Sequence, residues 1–434
     1  MGRGSLRCLA AFALVTACGP PDVSASDVPA PVPDSYLDDA VFRRSELVRS
    51  LVNTSNGYSK LRLEHYATGN ADDWERLPEW NPGATLVTID ELGQTATAPA
   101  LSEADALALP DHVTGEDDPR LVAFGRTAFE RYPVQLAPYL SIALRSNAAA
   151  SDYGLWVDPA RGVGGLVHAR MADGSTALAM TCSTCHAGAT ASGVENGAPN
   201  AALDLGKAQS DASAGAFDPS SPVPNWGPGR LDVTTTAGTE PVQIADLRPV
   251  GLLTYLHKDA TIAVLDRTTL AIRIETLLIT SYGQVLRPPR VVALALAAYV
   301  ASLAEALPRL SSAGAASPRG ARVFGETCAS CHVPPSLTGP PVPLAVVGTD
   351  PAIGLSADRG TGTYRVPSLR GVSTRGPLLH DGTVPSLAAF LDPSRVTPGF
   401  TQRLHGEGAV PGHPYGLDLP DADRAALEAY LEAL

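Results

Sequence analysis

Cysteine and methionine are scarce in this 434-residue sequence, with six of the first and three of the second. Cys8 and Cys18 lie near the start, and the other four cysteines form two equal spacings, Cys182-Ser183-Thr184-Cys185-His186 and Cys328-Ala329-Ser330-Cys331-His332. With those four committed, none is left for a structural disulfide framework. Aromatic residues make up 6% of the chain, too few for a large aromatic core, so small units packed around something else are expected. Positive charge is also short. The 32 Lys and Arg against 45 Asp and Glu leave a formal charge of −13, which argues against nucleic acid as a partner and against attraction to anionic lipid. Neither the apolar run ending at Ala17 nor that from Val291 to Ala304 is long enough to span a bilayer.

What is present at the front is an address. "MGRGSLRCLAAFALVTA" sets Arg3 and Arg7 ahead of a short apolar run, the layout of a secretory signal over residues 1–17. Val15-Thr16-Ala17-Cys18 resembles the lipobox of bacterial lipoproteins, which implies lipidation of Cys18; the alternative is an ordinary signal with Cys18 left as a free thiol. Residues 18–35, rich in Pro, Ala, Ser and Asp, read as an extended tether. The expected location is the periplasm or cell envelope, with the membrane reached through the lipid anchor only.

Residues 36–115 read as an N-terminal extension without evident chemistry, opening on a helix whose apolar side would be Leu37, Val41, Leu47, Val48 and Leu51. Residues 116–310 and 311–434 then repeat one order: a helix, a Cys-x-x-Cys-His, Gly- and Pro-rich loops, and a closing helix. The stretch from Ala187 to Pro249 is too long for a structureless loop and is expected to wrap a buried group.

Two cysteines spaced by two residues and followed by histidine suit a covalently attached haem. The thiols bond the two vinyl groups, and the imidazole reaches the iron. A zinc site built from two Cys-x-x-Cys pairs has no need of histidine at the same place in both. A thioredoxin-like dithiol needs a strand-turn-helix setting that the helical surroundings do not supply. Two c-type haems are therefore expected, on Cys182 and Cys185 with His186, and on Cys328 and Cys331 with His332.

The segments from Gly320 to His332, "YRVPSLRGVSTRGPLLHDGTVPSL" from Tyr364 and "GHPYGLDLPDADRAALEAYLEAL" from Gly412 together resemble the di-haem superfamily of bacterial cytochrome c peroxidases, MauG-like proteins and rubber oxygenases. The earlier unit resembles it only at its Cys-x-x-Cys-His and at "GPGRLDV". The resemblance implies a mainly α fold of two cytochrome c-like helical modules, each around a covalent haem, with long irregular loops and an N-terminal extension. His186 and His332 would be the proximal ligands. No methionine follows the second motif, so the sixth ligand there is expected to be His380 in "LLHDGT", the position that the rubber-oxygenase-like relatives imply. Tyr364 is a rival because MauG-like proteins use a tyrosine, and His405 and His413 read as surface or capping groups.

For the first haem, His168, Met171, Met180, His257 and an open position all stand. Two functions follow. One is a lipid-anchored di-haem electron carrier between redox partner proteins. The other is an oxidoreductase meeting peroxide or dioxygen at the first haem, with Glu195 as a nominal acid/base.

Overall fold

The computed structural model describes residues 35–94, 99–190, 192–214, 221–232 and 241–434. The expected signal, Cys18 and nearly all of the tether lie outside the described residues. Helices α1 (Ala40–Ser50) and α2 (Gly57–His65) start where side chains cap them. Asp39 accepts from the amides of Val41 and Phe42, and Asn56 from that of Ser59. The face that α1 buries matches the expected apolar one only in part, at Leu47 and Leu51. Val41 and Val48 are exposed, while Arg43, Glu46, Leu47 and Ser50 are buried. The reason is electrostatic: Arg43 reaches the carbonyl of Tyr36 at 2.7 Å and pairs with Glu75 at 2.8 Å, which turns that side inward.

Six further helices position the rest: α3 (Arg120–Arg131), α4 (Cys182–His186), α5 (Arg267–Ser281), α6 (Arg290–Ser302), α7 (Pro318–Thr327) and α8 (Asp421–Glu432). Every residue of α6 from Val292 to Val300 is buried, as befits a helix apolar on all sides. It packs against α3 and α5. The helical run Arg290–Ala316 is by composition long and apolar enough to cross a membrane, yet its apolar surface mostly lies within the protein.

One helix crossing occurs twice. Gly125 of α3 lies so close to α6 that a side chain there would strike the carbonyl of Ala295 and the Tyr299 side chain. Four residues on, Phe129 meets Tyr299 edge to face with ring centres 5.4 Å apart. In the later half Gly320 of α7 meets the carbonyl of Ala426 and the Tyr430 side chain in the same way, and Phe324 lies 5.2 Å from Tyr430. Both crossings therefore pair a Gly-x-x-x-Phe helix with an Ala-x-x-x-Tyr helix.

The expected mainly α chain of two helical haem modules does not hold as stated. A four-stranded antiparallel sheet orders Ala84–Leu86, Leu166–Arg170, Thr176–Met180 and Gln135–Leu136, and five two-stranded sheets accompany it among the described residues. The strands leave little trace because they are short and do not alternate: Leu166–Arg170 is buried at its first four residues and Thr176–Met180 at its last three, so neither shows the two-residue period by which a strand is read. The long stretch after Ala187 also holds structure, including the hairpin Ala187–Thr190 with Gly193–Asn196 and the helix Leu205–Ala212.

Three apolar clusters set the frame. The largest joins α1, α2, α3, α5 and α6; a second lies beside the four-stranded sheet; a third surrounds the α7–α8 crossing. Residues 35–434 form one compact unit.

Candidate functional site

The first motif is the five-residue helix α4, between strand Thr176–Met180 and strand Ala187–Thr190. Thr181 caps it, accepting from the Ser183 amide, while Thr184 Oγ1 accepts from the Thr181 amide. Both hydroxyls donate to one oxygen, the carbonyl of Gly165, at 2.8 and 2.9 Å. Gly165 has φ +64°, and any side chain on it would strike Ser183 and the Thr184 amide, so glycine is required there. Cys182 packs on the largest cluster and Cys185 on the second, so the motif sits at the seam between two cores. Burial pushes both thiols up to about 12.

The second motif has another support. Cys328 closes α7, and the amides of Cys331 and His332 bond back to its carbonyl at 3.2 and 3.0 Å. Ser330 is exposed, whereas Ser183 and Thr184 of the first motif are buried. None of the four cysteines is in a disulfide. Among the described residues no group of three or more His, Cys, Asp or Glu side chains is arranged to hold a bare metal ion, so the cysteines do not converge on one zinc site.

The two histidines are prepared alike. His186 Nδ1 lies 2.9 Å from the carbonyl of Ala245, and His332 Nδ1 lies 3.1 Å from the carbonyls of both Leu337 and Pro367. A carbonyl can only accept, so Nδ1 carries the proton and Nε2 keeps its lone pair. That is the tautomer of a metal-ligating histidine oriented by a backbone acceptor. Burial holds His186 at about 4 and lowers His332, so both imidazoles are neutral at neutral pH.

A cavity of about 290 Å³ opens on the second motif, bordered by Cys328, Cys331, His332, Tyr364, His380 and His413. Residues from the earlier half of the chain line it as well, among them Ala245, Asp246 and Lys258. The peptide that holds His186 thus also borders the cavity of His332. Free thiols, an imidazole with an available nitrogen and a largely apolar hollow are what a covalently held haem requires, and these residues fit one.

His413 was expected as a surface or capping group. Instead it borders the cavity with its ring centre 6.4 Å from that of His332. With metal–nitrogen bonds of about 2 Å, two imidazoles at this separation could both reach one ion. Burial, followed by His332, holds His413 at about 4. His380 also borders the cavity, with its ring 5.0 Å from that of Tyr364. The Tyr364 hydroxyl donates to the carbonyl of Asp350 at 2.6 Å. His405 is half-buried, near Gly227.

Two of the histidines considered for the first haem are committed elsewhere. His168 Nε2 lies 2.7 Å from the Glu91 carboxylate, and His257 Nε2 accepts from Arg273 Nε at 2.6 Å. Met180 is buried in the second cluster, and Met171 sits at the turn joining two strands, its amide bonded to the Ser175 carbonyl. Glu195 pairs with Arg248 at 3.4 Å. The sequence reading missed Ala245 and the Gly165 carbonyl, since a backbone acceptor leaves no trace in residue type.

No protein-family model matches the chain. No curated protein sequence matches it either. Among solved structures the chain is similar to the crystal structure of a MauG-like protein associated with microbial copper homeostasis, at 17% identity over 48% of this chain and 78% of that one, with a TM-score of 0.35. At that score the likeness is too slight to assign a function.

Proposed function

We propose that the chain is an exported di-haem c-type cytochrome that passes electrons between redox partner proteins. Cys182, Cys185 and His186 would hold one haem, and Cys328, Cys331 and His332 the other. The carrying observation is the shared peptide at Ala245: its carbonyl orients His186, and the same residue borders the cavity of His332. Haem iron supplies one-electron chemistry. The chain's own contribution is to orient both imidazoles, exclude water with the surrounding apolar residues and keep the two sites adjacent.

The reading takes His413 as the sixth ligand of the second haem, on its ring-centre separation of 6.4 Å from His332, in place of His380, whose ring lies 5.0 Å from that of Tyr364. The proposal includes the lipid anchor at Cys18. Wild-type protein should partition into detergent and Cys18→Ser should not; equal partitioning removes the anchor. The net charge of −13 suits a redox partner with a basic face.

A second reading has its own support. With His168 held by Glu91 and His257 by Arg273, neither is free to complete the first haem, which favours an oxidoreductase reacting with peroxide or dioxygen there. Carbon monoxide added to the reduced protein separates the two. An unchanged spectrum supports the carrier, and a shift confined to the haem on Cys182 and Cys185 supports the oxidoreductase.

A further inference from the structure

Helix α5 carries two charged side chains turned into the protein, Glu275 and Arg273, that differ in how they are satisfied. At Glu275 the account closes: Tyr36 and Tyr66 donate to one of its oxygens at 2.8 and 2.6 Å, and Arg290 lies 3.5 Å from the other. Half a turn away, Arg273 belongs to a group that does not close. Its Nε donates to His257, while its Nη1 is buried without a partner. Around it stand Tyr58 and Arg62 from α2, His257 from the turn between Tyr255–Leu256 and Ile262–Ala263, and Arg359 and Arg365 from the later half of the chain.

The contacts join these residues into one cluster. The Arg62 guanidinium lies 3.4 Å from the centre of the Tyr58 ring and that of Arg273 5.9 Å from it. Tyr58 and His257 meet edge to face at 5.1 Å, and Arg365 Nε donates to the His257 carbonyl at 3.0 Å. Tyr58, Arg62 and Arg359 are 7, 4 and 3% exposed, which removes water as the general solution. Arg62 donates to Thr276 and to the Tyr58 carbonyl. Left without a partner are Tyr58 Oη, His257 Nδ1, Arg273 Nη1, and Nε and Nη2 of Arg359. Since His257 Nε2 accepts from Arg273, its Nδ1 carries the proton, so the imidazole and guanidinium groups here are donors and the Tyr58 hydroxyl can act as one. Among the described residues the carboxylate in this group is Asp259, one oxygen taken by Thr261 and the other unpaired. It can neutralise one guanidinium of four. Like charges removed from water repel strongly unless a counter-charge joins them, and forked guanidinium donors match an oxoanion or a carboxylate.

We propose that Tyr58, Arg62, His257, Arg273 and Arg359 form a buried anion site that takes a phosphate-like oxoanion or a carboxylate and ties the N-terminal extension to both halves of the chain. Two backbone contacts already converge there: Asn56 Nδ2 donates to the carbonyl of Arg359 at 3.0 Å, and Thr361 donates to the carbonyl of Asp259. His257 is also held at φ +64°, a left-handed conformation unusual for a histidine. The anion has two sources of the same chemistry: a free small anion, or a propionate of the haem on Cys328 and Cys331. Lys258, next to His257, and Arg365 both border that cavity.

The test uses the full-length protein as isolated, moved into chloride buffer and titrated with inorganic phosphate while its thermal midpoint is followed. A free-anion site gives a saturable rise in the midpoint. Arg273→Gln and Arg359→Gln should each weaken the apparent affinity about tenfold or more, and Tyr58→Phe, which keeps charge and packing, should weaken it less. A propionate source gives no phosphate response. Instead Arg273→Gln lowers the midpoint potential of the second haem, because removing a nearby cation favours ferric iron, and Arg273→Lys restores it. The phosphate arm is readable even if the chain holds no haem, so failure of the haem reading and failure of this site are distinct results. If folded Arg273→Gln and Tyr58→Phe match wild type in both phosphate response and potential, the site is overturned.

Discussion

At the first Cys-x-x-Cys-His the two intervening residues are buried, and Thr184 donates to the Gly165 carbonyl; at the second, Ser330 is exposed and the motif rests on the end of α7. Both histidines nevertheless donate Nδ1–H to backbone carbonyls. Beyond the histidine the two sites diverge again. The second has His413 across its cavity, while His168 and His257, the histidines considered for the first, are paired with Glu91 and Arg273. One five-residue pattern can thus be carried by quite different supports, and what surrounds it sets what the site can do. The first motif is braced by the Gly165 carbonyl beside the four-stranded sheet, and the second by the end of α7 and the wall of a cavity.

The largest effect should come from the crossings that both sites share. Gly125→Val and Gly320→Val each force a side chain into a neighbouring backbone carbonyl and should destabilise the protein by about 3 kcal/mol, read from urea unfolding. Losses under about 1 kcal/mol at either would show that the crossings are looser than drawn. Next, His413→Ala should turn the second haem high-spin and let it bind carbon monoxide when reduced, while His380→Ala leaves it low-spin. The reverse pattern would restore His380 as the ligand.

A smaller effect separates the supports. Thr184→Val removes a buried hydrogen bond to Gly165 and should cost about 2 kcal/mol, whereas Ser330→Ala, its exposed counterpart, should change stability by less than about 0.5 kcal/mol. Equal costs would erase the distinction between the two sites. Least of all, Arg322→Ala breaks an exposed pair with Glu326 on α7 and should cost about 0.3–0.5 kcal/mol.

The sequence displayed its chemistry more openly than its architecture. Cys182, Cys185 and His186, and likewise Cys328, Cys331 and His332, stand out in the sequence because the haem attachment proposed for them would demand those residue types at that spacing. The repeated crossing was also on view, in Gly125 with Phe129 and Gly320 with Phe324, although its meaning needs the partners Ala295 and Ala426 from distant segments. Short strands such as Thr176–Met180 were not legible, since its five residues lack the alternation that marks a strand. His413 lacked any local mark: its place is set by packing against Phe390 and Tyr415 and by Arg395, which bonds its carbonyl at 3.1 Å. The buried face of α1 misled for a similar reason, because Arg43 turns inward only where Glu75 is there to receive it.

The most direct test of the account is a count of covalently held haem. Protein made with the cytochrome c maturation machinery should retain two haems through acid–acetone extraction, by intact mass and by haem absorbance. The Cys182→Ala/Cys185→Ala variant should retain one, and the Cys328→Ala/Cys331→Ala variant the other. Protein from the same cells that carries zinc, or four free thiols and no covalent haem, would contradict it.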